Sequence, residues 1–244
     1  HVRSRRQRQM CIRDRMKIAL ASTPGHVDWL AANTRSGDVI GVDGQVLGLG
    51  AFRALSVAAA ASGATLEIRA DLLDEVWTDR AGLPDAQIYE HLAPEACVSR
   101  ADKLAQVREG MRAHGADVHF ICTVDDIAWL LNLRGADVDY NPVFVGHALI
   151  GLDHATLFVA DGKVDDALRA TLAADGVEVA GYAQAADALA SLELDQKLLI
   201  DPARVTCGVF HAMDPAVPRI EAINPSTLLT VSYTHLTLPT TPYV

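Results

Sequence analysis

Asp125-Asp126-Ile127-Ala128-Trp129-Leu130-Leu131-Asn132-Leu133-Arg134-Gly135, continuing through Ala136-Asp137-Val138-Asp139-Tyr140-Asn141-Pro142-Val143-Phe144, is the most informative stretch of this 244-residue chain. Two acids open an apolar run about a turn and a half long. Asn132 to Gly135 break it, polar residues come next, and Val143-Phe144 turns apolar again. The pattern predicts a short helix capped by Asp and stopped by Gly, then a polar loop, then a strand.

Similar units flank it. On the carboxy-terminal side, Pro142 to Leu152 and Ala155 to Val159 read as a β-hairpin turning near Asp153. Val164 to Ala174 reads as a helix stopped by Gly176. Val177 to Val179 is a strand, Ala185 to Leu194 a helix and Lys197 to Ile200 a strand. Asp201-Pro202 is expected to open another helix, with Pro in its first turn. Arg219 to Ala222 is a last strand, and Asn224-Pro225 caps the next element. On the amino-terminal side, Ser99-Arg100-Ala101-Asp102 outlines a capping box. It opens a helix to His114 that buries Leu104, Val107 and Met111, and Ala116 to Cys122 is a strand. The hairpin requires an antiparallel pair, which argues against a purely parallel sheet.

Further upstream, Asp38 to Gly44, Leu47 to Ser62 and Ala64 to Ile68 read as strand, helix and strand, a βαβ rhythm. A short helix over Asp28-Trp29-Leu30 precedes them and another over Asp71 to Trp77 comes after them. From Thr78 to Pro94, Gly82, Pro84 and Pro94 punctuate an extended run, the composition of an interdomain connector. Asp79-Arg80 beside Trp77 is placed to pin it by a bidentate contact or by stacking.

Both ends differ from the rest. Residues 1–15 hold six Arg and one Asp, and residues 231–244 hold no charged side chain, so 16–230 carry a net charge of −15 within an overall −10. An acidic body repels nucleic-acid backbones and argues against binding them. Both tails resemble translated sequencing-adaptor read-through and are set aside. Half the residues are hydrophobic, enough for a substantial core. Cys11, Cys97, Cys122 and Cys207 lack metal spacing and read as free thiols of a reducing, cytoplasmic compartment. No apolar run is long enough to span a membrane.

Chemistry-bearing patterns are sparse. Gly48-Leu49-Gly50 lacks the third glycine of a dinucleotide fingerprint, with Arg53 in its place. His26 and Asp28 are more simply loop residues than metal ligands. Asp125 and Asp126 diverge by about 100° on a helix. Asp137 and Asp139 share a loop and would reach one site. Asp153-His154 reads as a turn. There is no HExxH, GxSxG or Walker loop. The residues alone name no active site.

Trp77-Thr78-Asp79-Arg80 with Leu83-Pro84, Ser99 to Leu104, Asp125 to Gly135, Asn141 to Phe144, Ile200-Asp201-Pro202 and Asn224-Pro225 together resemble, in order and spacing, the three-domain Xaa-Pro aminopeptidases (aminopeptidase P). The resemblance implies an α/β fold of two creatinase-N-like domains with mixed β-sheets flanked by helices. Residues 16–95 would be the carboxy-terminal part of a truncated first domain with its connector, and 97–230 the second domain. Residues 1–15 and 231–244 would be adaptor-derived. The family's pita-bread catalytic domain, with its dimetal ligands, has no counterpart here. This fragment would therefore carry no catalytic residue and no metal. The parent would use two divalent ions, manganese being the common choice, to release an N-terminal residue preceding proline. Its partners would be the catalytic domain, a proline-containing peptide and a second copy in a homodimer. The stretch Asn132 to Tyr140 would face the catalytic domain. Asn132, Arg134, Asp137 and Tyr140 are the expected cleft or interdomain contacts: Arg134 would meet a carboxylate and Tyr140 would line the peptide entrance. The simpler role for Asn132 and Arg134 is to tie down a helix end. A standalone creatinase-like binding or assembly module is the rival reading.

Overall fold

The computed structural model describes residues 25–68, 71, 73 and 76–229. Both tails, and most of the helix expected over Asp71 to Trp77, lie outside the described residues; Leu73 and Val76 are in turns. A six-stranded mixed sheet forms the centre. It comprises β4 (Val118–Ile121), β6 (Gly146–Gly151), β7 (Ala155–Val159), β8 (Val177–Gly181), β9 (Leu198–Ile200) and β10 (Arg219–Glu221). The order across it is β10-β9-β4-β6-β7-β8, and β6 runs antiparallel to both β4 and β7 while the other pairs are parallel. The expected hairpin around Asp153 is thus the antiparallel element within a mixed α/β sheet.

Alternation along the strands sends side chains to two covered faces. All four residues of β4 are buried. Ile121, Ile150, Leu157 and Leu199 pack with Leu104, Val107 and Met111 of α3 (Arg100–His114) and with Ile127 and Leu130 of α4 (Val124–Leu130). Leu168 and Leu172 of α5 (Asp166–Ala174) complete that layer. Val118, Phe120, Phe158 and Ile200 pack on the other side with Leu189 of α6 (Gln184–Ala190). The serine cap forms, with Ser99 Oγ accepting from Asp102 N at 3.1 Å, while the Asp102 carboxylate takes the Ser99 hydroxyl at 2.7 Å in place of the reciprocal backbone bond of a full capping box. Gly115, at φ 69°, closes the helix in the left-handed region that glycine tolerates.

The first half supplies α1 (Gly25–Asn33), β1 (Val39–Gly41), α2 (Leu49–Ser62) and β2 (Thr65–Glu67), with β1 and β2 parallel as the βαβ rhythm requires. It is stitched to the second half by backbone. Leu49 N donates to Val205 O (3.0 Å), Cys207 N to Leu47 O (2.8 Å) and Gly208 N to Gly44 O (2.7 Å). A Cβ on Gly208 would stand 2.7 Å from Gly44 O, so this approach requires glycine. Leu49 is 1% exposed within the core shared with Phe120 and Ile200.

Three expectations are corrected. Asp201-Pro202 begins a turn rather than a helix: Asp201 Oδ1 accepts from Ala203 N (3.0 Å), and α7 (Cys207–Ala212) starts later, capped by Thr206. Arg80 pairs with Asp71 at 2.7 Å rather than with its neighbour Asp79, and it stacks over Trp77 at 5.7 Å. The helix of the opening stretch starts at Val124 after Thr123, so its two Asp lie in the first turn rather than at the cap; it stops by Leu131, and Asn132 takes the left-handed turn at φ 52°. Gly135 serves another need, since a Cβ there would lie 2.8 Å from Phe144 Cβ and 3.1 Å from Val143 O.

Candidate functional site

The segment from Thr123 to Phe144 leaves the central sheet at the end of β4, runs through α4 and continues as β5 (Leu133–Arg134), which belongs to a separate two-stranded sheet. β5 pairs antiparallel with β3 (Tyr89–Glu90), which lies in the connector. The connector is therefore hydrogen-bonded to the strand just beyond α4, and His91 N adds a bond to Asn132 O at 2.8 Å.

Asp125 and Asp126 separate as their helical angle requires. Asp125 is exposed and accepts from Asn141 Nδ2 at 3.3 Å. Asp126 is buried, and its Oδ2 accepts from Thr123 Oγ1 (2.5 Å), Asn224 Nδ2 (2.9 Å) and Thr227 Oγ1 (2.9 Å). Asn224 Oδ1 in turn faces His119 Nε2 at 2.8 Å, while His119 Nδ1 faces Leu199 O at 3.0 Å. This network joins α4 to α8 (Pro225–Leu229), which Asn224 caps through Ser226 N at 2.9 Å. Burial pulls the His119 ring below its ordinary value, against the upward pull of Leu199 O, Asn224, Asp126 and Asp201.

The four expected contact residues divide. Asn132 is buried; its Nδ2 donates to Val98 O at 2.9 Å and its Oδ1 accepts from Lys103 Nζ at 2.6 Å. Arg134 is partly exposed, and its Nη1 donates to Ala128 O (3.0 Å) and Leu133 O (2.8 Å). Both therefore tie down the carboxy-terminal end of α4. The Asp137 side chain is 0% exposed: its two oxygens take Lys163 Nζ at 2.6 and 2.7 Å, and Oδ2 also takes Val145 N at 2.7 Å. Asp139, two residues on, is exposed, so the two acids do not converge. Tyr140 sits fully exposed in the turn between Val138 and Asn141 at φ 63°. A bulky residue in that region costs roughly 1–2 kcal/mol.

The sequence pattern does not reveal how cations gather around the end of α4. Arg100 Nε donates to Leu131 O (2.7 Å), and its other nitrogens pair with Glu90 (2.8 Å) and Asp175 (2.6 Å). Lys103 Nζ donates to Trp129 O (2.8 Å) and lies 4.3 Å from the centre of the Trp129 ring. Three cations thus cover carbonyls at a helix C-terminus, where the macrodipole favours positive charge. Burial, then the positive charge of Arg134, bring Lys103 down to about 8. Arg100 and Lys103 are visible in the sequence only as letters in a shared motif, because their partners lie 10 to 75 residues away.

Among the described residues, no group of three or more His, Cys, Asp or Glu could hold a metal ion, so the residues present do not fit a dimetal centre. No described helix is long and apolar enough to cross a membrane.

A family model described as the creatinase/prolidase N-terminal domain matches residues 79–231. A Fusarium vanettenii protein named probable Xaa-Pro aminopeptidase P is 33% identical over 173 residues, covering 68% of this chain and 28% of that protein. A Dictyostelium discoideum protein named Xaa-Pro aminopeptidase 1 is 26% identical over 220 residues, covering 86% of this chain and 35% of the relative. Among solved structures, a Caenorhabditis elegans X-prolyl aminopeptidase, described as a cytosolic enzyme with a di-nuclear active site, superposes with a TM-score of 0.74. The identity there is 22%, covering 85% of this chain and 35% of that one, so the likeness speaks for the fold.

Proposed function

The chain belongs to the creatinase/prolidase N-terminal domain family, and from that premise we propose that it forms the amino-terminal, noncatalytic part of an Xaa-Pro aminopeptidase. The observation that carries this reading is the unequal coverage. Relatives of that name match 68% and 86% of this chain, whereas the chain spans 28% and 35% of their lengths. In this reading residues 16–95 and 97–230 are two successive creatinase-like units, the first of them incomplete. The parent enzyme would release the residue preceding proline from a peptide, with two divalent ions held by a separate domain. No step of that chemistry is assigned to the residues of this chain.

What the chain contributes is shape and placement. The surface around Arg134 and Tyr140 would face the catalytic domain and the peptide. Asn132 and Asp137 would hold that surface in position from beneath. Tyr140 supports this role because it is fully exposed at a backbone angle that gives it no folding benefit, which is where strain marks function most often. A homodimer and manganese as the metal belong to the same reading.

The test is an assay of this polypeptide on an Xaa-Pro peptide with manganese added, beside a version extended along its reading frame. The short chain is expected to release no amino acid and the extended one to do so. Release by the short chain alone would overturn the noncatalytic assignment. A frame that stops shortly after Thr230 would favour the rival, a standalone binding or assembly module.

A further inference from the structure

Of the three cations around the end of α4, only Arg100 is neutralised by a carboxylate among the described residues. Glu90 and Asp175 both pair with it. Asp137 is committed to Lys163. Among the described residues, no carboxylate lies within 4 Å of Lys103 or Arg134. Two partly enclosed positive charges therefore stand together in a strongly acidic protein, and burial, then the Arg134 charge, lower the Lys103 ammonium's hold on its proton.

The geometry of Arg134 narrows what would fit. Its Nη1 is held by Ala128 O and Leu133 O, which fixes the plane of the guanidinium. The opposite edge, Nε with Nη2, has no partner among the described residues, and neither atom is among the buried unpaired ones. That edge offers two parallel N–H donors, the fork that matches a carboxylate. Tyr89 is the cross-strand partner of Arg134, and directly opposed residues of an antiparallel pair project to the same face. Tyr89 is 53% exposed, so an aromatic residue flanks the fork. Phosphate would accept the same fork, but the aromatic flank and the acidic body favour a singly charged, partly apolar partner.

We infer that Arg134, with Tyr89 beside it and Lys103 behind it, is a receptor for one carboxylate carried by a peptide or polypeptide. This deepens the reading that the surface faces substrate and catalytic domain, and rests on that reading for the two sources considered: the C-terminal carboxylate of a peptide substrate, or an Asp or Glu side chain of the adjoining domain. Either would complete the neutralisation that Glu90 and Asp175 provide for Arg100.

The test is a titration of the 244-residue chain monitored by NMR of the Lys103 side chain, identified by its loss in Lys103→Arg. Three probes are compared: Ala-Pro-Ala, its C-terminal amide, and an N-acetylated, C-amidated peptide containing Glu. Binding of a carboxylate should raise the Lys103 titration midpoint from about 8 by about one unit or more. A response to Ala-Pro-Ala alone assigns the site to the peptide terminus, and a response to the Glu peptide assigns it to a protein side chain. In Arg134→Gln and Arg134→Lys, binding should weaken about tenfold or more, because each loses the fork and only the second keeps the charge. If Arg134→Gln fails to fold, the comparison of acid with amide in the wild-type chain still decides. No response to either carboxylate probe, or an equal response to the amide, overturns the assignment. Xaa-Pro hydrolysis by the extended chain with Lys103 silent would remove only the carboxylate receptor and leave the family reading standing.

Discussion

Asp137 and Tyr140 stand three residues apart in one loop and meet opposite fates. Asp137 points inward and spends both oxygens on Lys163 and Val145 N. Lys163 also donates to Pro84 O at 3.3 Å, and Ile88 N donates to Lys163 O, so this ion pair clamps the connector to the loop. Tyr140 points outward, touches no core and sits at a positive φ. The loop is anchored at one end and holds an unfavourable conformation at the other. Burial and pairing are concentrated on one residue of this short segment, and exposure with a positive φ on another.

The sharpest way to break that contrast is to remove the anchor. Asp137→Ala leaves a fully buried ammonium without its partner, a change that costs about 3–5 kcal/mol in comparable sites. Chemical denaturation should show that loss. Asp137→Ala combined with Lys163→Met should recover much of it, because the stranded charge is then gone. Equal stability of the single and double variants would mean the clamp does not depend on charge pairing.

A second buried polar group lacks the partner that Asp137 has. His147 on β6 stacks against Tyr182 at 4.7 Å and Phe120 at 5.4 Å, and its Nδ1 is buried with no hydrogen-bond partner among the described residues. Burial holds the ring down to about 4, against an ordinary 6.5. Below 6.5 the unfolded chain takes up a proton that the folded ring refuses. The contribution is therefore intact above that pH and falls on acidification by about 1.4 kcal/mol per pH unit until about 4. His147→Phe should flatten this part of the stability–pH curve. An unchanged slope would place the acid sensitivity elsewhere.

Legibility in the sequence divides along the same line of near and distant partners. Periodicity and caps near in sequence are legible: the helix from Arg100 to His114, the hairpin at Asp153 and the βαβ unit all form as read. The divergence of Asp125 from Asp126 needs helical angle alone. The roles of Asp137, Lys103 and Arg100 are not legible, because each is set by a partner 26 residues or more away. One punctuation mark also misleads. Gly135 reads as a helix stop, yet Asn132 takes the left-handed conformation, since its amide gains Val98 O and Lys103 by doing so. Gly135 is required three residues later by the closeness of Phe144. Gly135→Ala should consequently destabilise by about 1–3 kcal/mol through overpacking rather than through helix lengthening. Circular dichroism should therefore record unchanged helix content beside a lower melting temperature.

The smallest effect is expected at the outward end, and its sign carries the information. Tyr140→Gly removes a side chain with no burial to lose and relieves a left-handed conformation that costs roughly 1 kcal/mol. Glycine also loses more entropy on folding, about 0.5–1 kcal/mol, so the two terms nearly offset and stability should be unchanged or slightly higher. Tyr140→Ala keeps the strain without the ring and separates the terms: it should be no more stable than the wild type. If Tyr140 lines the peptide entrance as proposed, the same Tyr140→Gly change in the extended enzyme should raise KM for a proline-containing peptide while the melting temperature holds. A residue that lowers neither stability nor peptide affinity when removed would have no role in the loop, and the contrast with Asp137 would then reflect folding alone. A marked loss of stability in Tyr140→Gly would show that the exposed turn is itself an anchor.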